Sequence, residues 1–259
     1  MQIEGKNIIL TGASSGIGKE LLCLLSSYEN VKIIAVARHI EKIPVIEDKI
    51  IPFSADIGNK EGVDSLFNFS QKVFGNTDIF IANAGFAYLE KLNKPDWQHI
   101  ETIFSVNVFS PVYSLEKFMM EGDFPKTFVS TISCVAMISL PAYSLYCSTK
   151  AALHHFMETY RYEQSKNLNL ISVYPIATKT DFFDKATGQE QTPLPYPAQG
   201  VNSVAKAIVK GIEKNKKKIF PSLFFRFIYP IGRAFPLFLN IYSARERKKV
   251  SKWLDKIQD

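Results

Sequence analysis

A serine, a tyrosine and a lysine stand close together in the stretch STISCVAMISLPAYSLYCSTKAAL, at Ser133, Tyr146 and Lys150. An isolated phenol has a pKa of ~10, and a nearby cation favours its phenolate, bringing the group closer to a useful range for proton transfer. On a helix, Tyr146 and Lys150 share one face, one turn apart. The spacing Tyr-x-x-x-Lys selects nothing by itself, because Tyr28/Lys32, Tyr113/Lys117 and Tyr162/Lys166 repeat it. Context distinguishes the Tyr146 copy: it follows an apolar segment ending in Ser133, thirteen residues earlier.

A second constellation opens the chain. NIILTGASSGIGKEL carries Gly12, Gly16 and Gly18 between an apolar run and a helical pattern. Small residues there let the backbone approach a pyrophosphate, and a helix N-terminus adds positive potential. The bland alternative is a tight strand-to-helix connection.

These residues need a frame. Short β-branched runs alternate with longer helical patterns, which predicts a parallel sheet built from βαβ units. Strands are expected near Asn7–Leu10, Val31–Ala37, Ile50–Phe53, Asp78–Ala82, Thr127–Ile132, Leu170–Tyr174 and Lys218–Phe220. Helices are expected at Ile17–Ser27, Lys60–Phe74, Pro95–Met120, Tyr143–Ser165 and Val201–Glu213, with apolar residues three and four apart. Pro95 suits a first helical turn. Thr178 to Gly200, rich in proline, glycine and threonine, is expected to be one long irregular loop.

With 259 residues, 46% of them hydrophobic and 22% charged, the chain is sized for one α/β domain. Its net charge of +6 concentrates late, in Lys214 to Lys218 and Arg245 to Lys249, without aromatic interleaving. A solvated or membrane-facing basic edge fits this better than nucleic acid. Cys23, Cys134 and Cys147 have neither metal-ligand spacing nor a disulfide pattern, so no metal and a reducing compartment are expected. No secretory leader is read before the glycine loop, which points to the cytoplasm. Cys134 and Cys147 directly follow Ser133 and Tyr146, so oxidation there is a candidate means of inhibition, set against ordinary burial as small apolar residues.

Taken together, TGASSGIG at Thr11 to Gly18, NAG at Asn83 to Gly85, Asn107, Ser133, and Tyr146 with Lys150 make the chain resemble the short-chain dehydrogenase/reductase family, from about Lys6 to Thr180. The resemblance implies a single-domain, Rossmann-like, doubly wound parallel sheet with helices on both faces and NAD(P) across the carboxyl ends of the strands. It implies a catalytic set of Asn107, Ser133, Tyr146 and Lys150. In that set Tyr146 delivers the proton, Ser133 hydrogen-bonds the substrate oxygen, Lys150 also holds the nicotinamide ribose, and Asn107 positions a water in a proton relay. Cofactor contacts carried over are Gly12, Ser14, Ser15, Gly16, Ile17 and Gly18 in the loop, then Asp56, Asn83, Ala84, Gly85, Pro175, Ile176, Thr178 and Thr180. Ile176 departs from the family, which usually has glycine there, so the pocket beside the nicotinamide acquires a side chain. Asp56 is also read as a turn residue in SADIGN.

Two residue-level arguments join the resemblance. Pro111 cannot donate to the carbonyl of Asn107, so a bend freeing that carbonyl is expected. After the second strand stands Ala37-Arg38, where a carboxylate would favour NAD; Arg38 favours NADP(H), or else is a solvated loop residue.

Residues 1–218 are read as the cofactor-binding and catalytic unit, with 178–200 as its substrate loop, and 219–259 as an apolar, basic extension. Ile219 to Tyr242 is aromatic and apolar but interrupted by Arg226, Arg233 and three prolines, a poor spanning helix. It is an interfacial membrane segment, a lid over the site or a subunit interface. Ser243 and Glu246 form a capping-box pattern ahead of Val250, Trp253, Leu254 and Ile257 on one helical face.

The expected activity is NADP(H)-dependent interconversion of a carbonyl and an alcohol on a hydrophobic substrate, the last because of Phe182, Phe183 and the apolar tail. Family habit implies a homodimer or homotetramer. The competing readings are a noncatalytic NADP-binding sensor or scaffold and a basic membrane-surface adaptor.

Overall fold

Chain order alternates strand and helix almost throughout: β1 (Asn7–Thr11), α1 (Gly16–Leu25), β2 (Lys32–Ala37), β3 (Ile50–Ser54), α2 (Lys60–Phe74) and β4 (Ile79–Ala82). There follow α3 (Trp97–Phe104), a π-turn (Ser105–Phe109), α4 (Ser110–Met119), β5 (Lys126–Thr131), α5 (Ser144–Tyr160) and β6 (Leu168–Val173). The chain closes with β7 (Ala177–Thr178), α6 (Phe182–Thr187), β8 (Ala198–Gln199), α7 (Val201–Glu213), β9 (Lys218–Ile219), α8 (Leu223–Ala234) and α9 (Pro236–Gln258). The computed structural model describes residues 2–188 and 192–258, the side chains of 233, 236 and 255–258 excepted.

Seven strands form one parallel sheet in the order β3-β2-β1-β4-β5-β6-β9. Successive side chains of a strand face opposite ways. Ile8 and Leu10 therefore join Leu21, Leu25, Val204 and Ile208 of α1 and α7 on one face. Ile9 joins Phe67, Phe118, Leu153 and Met157 of α2, α4 and α5 on the other. This is the Rossmann-like doubly wound sheet. From β1 the order runs outward through β2 and β3, and from neighbouring β4 it runs the other way, so the carboxyl ends of β1 and β4 flank a switch-point crevice.

Four expectations change. The helix expected over Pro95–Met120 is two helices joined by the π-turn, and it begins at Trp97, with Asp96 accepting from the His99 N–H at 2.9 Å as N-cap; Pro95 lies before the cap. The tertiary need is visible in the turn: Asn107 is buried there against Phe86. Helix α5 stops at Tyr160, short of Ser165, where Arg161 bends back to the carbonyls of Leu170 and Lys217 and the chain re-enters the sheet. Thr178–Gly200 is not wholly irregular: β7 pairs with β8, and α6 lies between them. Finally, Ser243 and Glu246 cap nothing, because α9 is continuous from Pro236; Ser243 donates to the Ser139 carbonyl at 3.1 Å, and Glu246 is buried.

Extension helices α8 and α9 return to the sheet's carboxyl end. Phe225, Val250 and Leu254 are buried in a third apolar cluster with Tyr143, Ile176 and Phe183, and Trp253 packs at its edge. Ile257, expected on the same face, lies outside the described side chains.

Candidate active site

A cleft of about 1430 Å³ runs along the carboxyl ends of the strands, from the glycine loop and the end of β2 to Ser133, Tyr146, Lys150 and the extension helices. Its glycine-loop wall has a backbone reason for its sequence. Gly12 sits at φ +68°, and a Cβ there would come within 2.8 Å of Ala84 Cα. Thr11 Oγ accepts from the N–H groups of Asn83 and Ala84 at 3.0 and 3.1 Å, tying the loop to the end of β4. Asn83 closes the brace by donating to the Thr11 carbonyl at 3.3 Å and accepting from Thr131 at 3.2 Å. Helix α1 points its N-terminus at this end without an acidic residue in its first turn, and the Ser15 side chain makes no cap bond. Unneutralised helix potential and a close backbone make an anion cradle.

Of the expected site residues, the cleft wall includes Ser14, Ser15, Gly16 and Ile17; Arg38, Asp56, Ala84 and Gly85; and Pro175, Ile176, Thr178 and Thr180. Gly18 and Asn107 stand behind it. Gly18 packs against the Gly12 carbonyl, and Asn107 is 1% exposed. Asp56 keeps both of its readings, since it lines the cleft and also accepts from the Gly58 N–H at 2.9 Å in a turn. Thr180 faces Gly16 across the cleft, its Cγ2 3.4 Å from where a Cβ would stand.

At the other end, β5 delivers Ser133, and α5 presents Tyr146 and Lys150 on one face. Lys150 Nζ donates to the Thr131 carbonyl at 3.0 Å and lies 5.7 Å from the Tyr146 ring centre. Asn107 holds this corner together: its amide bonds both polar groups of Phe86 and donates to Thr149 at 3.1 Å. The π-turn at Asn107 followed by Pro111 fits the bend expected from a missing proline donor.

Electrostatics depart from expectation. Burial raises the Tyr146 phenol above its usual range, while its hydrogen bond with Ser133 acts in the opposite direction. Burial also lowers Lys150 to about 8. Desolvation is the largest influence on both groups, and it acts against the lowered phenol that the Tyr146–Lys150 spacing suggested. Burial likewise raises Cys134 to about 12 and lifts Cys147, so neither is a ready thiolate, which weakens the oxidation reading.

Several wall residues escaped the sequence reading. Lys19, His39 and Lys42 join Arg38 at the glycine-loop end; for His39 and Lys42 the signal was ARHIEK, basic residues directly after a strand. Tyr143, 1% exposed, borders the cleft beside Tyr146, and its hydroxyl has no hydrogen-bond partner among the described residues. Nothing in its sequence context separates Tyr143 from an ordinary core aromatic. Ile176 packs with Tyr143 and Phe183, so the side chain that replaces the usual glycine joins the corner of Ser133 and Tyr146 to the apolar wall under α8.

A glycine loop at the switch point, with a half-buried tyrosine and a buried lysine across the same cleft, defines a nucleotide-dependent dehydrogenase class, and the chain belongs to the short-chain dehydrogenase family, whose model matches residues 6–191. Among curated relatives, it is similar to a 3-ketodihydrosphingosine reductase of Dictyostelium discoideum, 29% identical over 82% of this chain and 73% of the relative. Its fold matches a short-chain dehydrogenase from Burkholderia cenocepacia J2315 solved with NADP (TM-score 0.79, 23% identity, 94% of this chain and 99% of that one). It also matches one from Burkholderia phymatum solved with NAD (TM-score 0.77, 18% identity, 90% and 95%).

Proposed function

We propose that the protein is an NADP(H)-dependent oxidoreductase interconverting a carbonyl and an alcohol on a hydrophobic substrate, with Tyr146 as general acid/base. The observation that carries this reading is one continuous cleft, which has an anion cradle at one end and, at the other, the half-buried Tyr146 phenol beside the buried Lys150 ammonium and Ser133 hydroxyl. The cradle suits a dinucleotide: Gly12 and Gly16, both at positive φ, leave room for a pyrophosphate, and Lys19, Arg38 and Lys42 offer cations to a 2′-phosphate. Bound there, the nicotinamide supplies or accepts the hydride.

The chain's own groups handle the oxygen. Ser133 donates a hydrogen bond to the substrate oxygen, and Tyr146 delivers its proton as alkoxide charge develops. Lys150 holds the ribose and adds positive charge. Phe182, 5.5 Å from Tyr146 between ring centres, begins the apolar wall that receives the rest of the substrate. A ketone is in keeping with the name of the Dictyostelium relative. The assembly, following family habit, is a homodimer or homotetramer. The setting is cytoplasmic, in keeping with three unpaired cysteines, and peripheral on a membrane's inner face. Residues 1–218 carry the cofactor and catalytic machinery, and 219–259 complete the substrate end.

The reading is tested by following NADPH oxidation over a chain-length series of ketones and aldehydes. Turnover rising with chain length supports it. Tight NADPH binding with no turnover in either direction overturns it in favour of a noncatalytic module.

Two further results are expected. Arg38→Glu raises KM for NADPH roughly ten- to hundredfold, the worth of a charged hydrogen bond, and leaves KM for NADH nearly unchanged; parallel shifts in both would remove Arg38 from the 2′-phosphate. The reductive kcat/KM, read as a function of pH, declines as Lys150 loses its proton near about 8. A profile flat well past that pH would show that the ammonium charge contributes nothing.

A further inference from the structure

The extension helices present a surface that a water-surrounded monomer has no use for. Leu223, Phe227, Phe235 and Leu237 are each 61–68% exposed and do not line the cleft. Beside them Phe224, Ile228, Ile231, Phe238 and Ile241, 42–62% exposed, belong to the same apolar face and line the cleft as well. Nine large apolar side chains exposed within nineteen residues form far more than the scattered hydrophobes of an ordinary surface.

Charge identifies what covers this face. From Lys214 to Leu254 the sequence holds eleven Lys and Arg against one carboxylate, Glu246. That carboxylate is 3% exposed and paired with Lys249, while Arg226, Arg245, Arg247, Lys248 and Lys252 are exposed. The surface offered outward is therefore apolar and cationic. A leaflet with anionic headgroups complements both properties, whereas a second copy of the same basic face brings like charges together. Among the described residues no helix is long and apolar enough to cross a membrane, and α8 contains Pro230. The helices accordingly lie in the leaflet and do not span it.

We infer that α8 and the start of α9 seat the protein on an anionic bilayer and form a portal through which the substrate passes from the leaflet into the cleft. The residues that would face hydrocarbon are continuous with the cleft wall, so a ligand can move from lipid to Tyr146 along apolar side chains without crossing water. This rests on the oxidoreductase reading and narrows it. The substrate is a long-chain amphiphile, its hydrocarbon lying among Phe224, Ile228 and Phe238 and its carbonyl or hydroxyl, near the polar end, reaching Ser133 and Tyr146.

The test uses the full chain and a Phe227→Asp/Leu237→Asp variant, whose sites lie off the cleft wall. Flotation is measured with phosphatidylcholine vesicles with and without phosphatidylserine. NADPH oxidation is followed with a short water-soluble ketone and with a long-chain ketone carried in the vesicles. The expected wild type floats with the anionic vesicles and reduces both ketones. The variant loses flotation by about tenfold or more, loses the long-chain activity with it, and keeps the short-ketone activity. A wild type that stays soluble with both vesicles, or a variant that merely turns a dimer into a monomer, overturns the portal and makes the face a subunit interface. Loss of both activities in the variant overturns it too, since the helices would then only support the site. Flotation without turnover of either ketone or the matching alcohols overturns the oxidoreductase reading, and the substrate class with it, independently of lipid docking.

Discussion

Replacing Tyr146 with phenylalanine is expected to lower kcat for carbonyl reduction by about 10²–10⁴-fold, the usual share of a positioned proton donor, while NADPH binding and thermal stability stay near wild type. The substitution removes one oxygen and keeps the ring, whose neighbours are Phe182 at 5.5 Å and Tyr143 at 6.4 Å between centres. Because burial, not a structural partner, dominates the phenol's environment, its loss leaves no strong bond broken elsewhere; Ser133 still bonds the Pro175 carbonyl, at 3.5 Å. Rapid-mixing measurement of the hydride step, alongside a fluorescence titration with NADPH, separates chemistry from binding. A hydride rate within tenfold of wild type would remove Tyr146 from proton transfer. A collapse of NADPH affinity would assign it a binding role in place of a chemical one.

The difference between what the sequence could tell and what needed coordinates follows how local each signal is. The glycine loop and the Tyr146–Lys150 face depend on neighbours within one βα unit and stand where the pattern put them, while the strand expected to reach Ser133 ends at Thr131, two residues before it. The π-turn was legible only as a bend, through Pro111; that Asn107 is also held by Phe86 and Thr149, twenty-one and forty-two residues away, depends on tertiary contact. The pKa balance could not be read from spacing at all. A lysine four residues from a tyrosine suggests a lowered phenol, but the sign is decided by how completely both are desolvated.

The extension shows the limit most clearly. Ser243 and Glu246 have the spacing of a capping box, yet a helix already under way from Pro236 absorbs them, and Glu246 is more useful buried beside Lys249 than as a cap. The local rule gave way to a longer helix that packs Val250 and Leu254 onto Tyr143 and Ile176. That packing is also what turns an uncertain apolar tail into one wall of the cleft.

The second large effect is expected at Gly18, which never touches the cleft. A Cβ there would stand 1.9 Å from the Gly12 carbonyl oxygen and 2.7 Å from Asn83 Nδ2. Gly18→Ala gains up to about 1 kcal/mol of helix propensity in α1, but the overlap is with backbone, so the glycine loop or the helix must move, at about 1–3 kcal/mol. The clash outweighs the gain. Its consequence is larger for function than for folding, because the displaced atoms are the cradle itself: Gly12 and the Asn83 brace. NADPH affinity is expected to fall about tenfold or more, with a melting temperature lower by several degrees. Gly75→Ala provides the contrast. At φ +73° with nothing within 4 Å of its added Cβ, it costs about 1–2 kcal/mol of backbone strain in the C-cap of α2, away from the cleft. Comparable destabilisation with NADPH affinity intact in Gly75→Ala, against lost affinity in Gly18→Ala, would tie Gly18 to the geometry of the loop. Equal affinities in the two variants would reduce it to an ordinary helix glycine and leave Gly12 and Gly16 to account for the cradle.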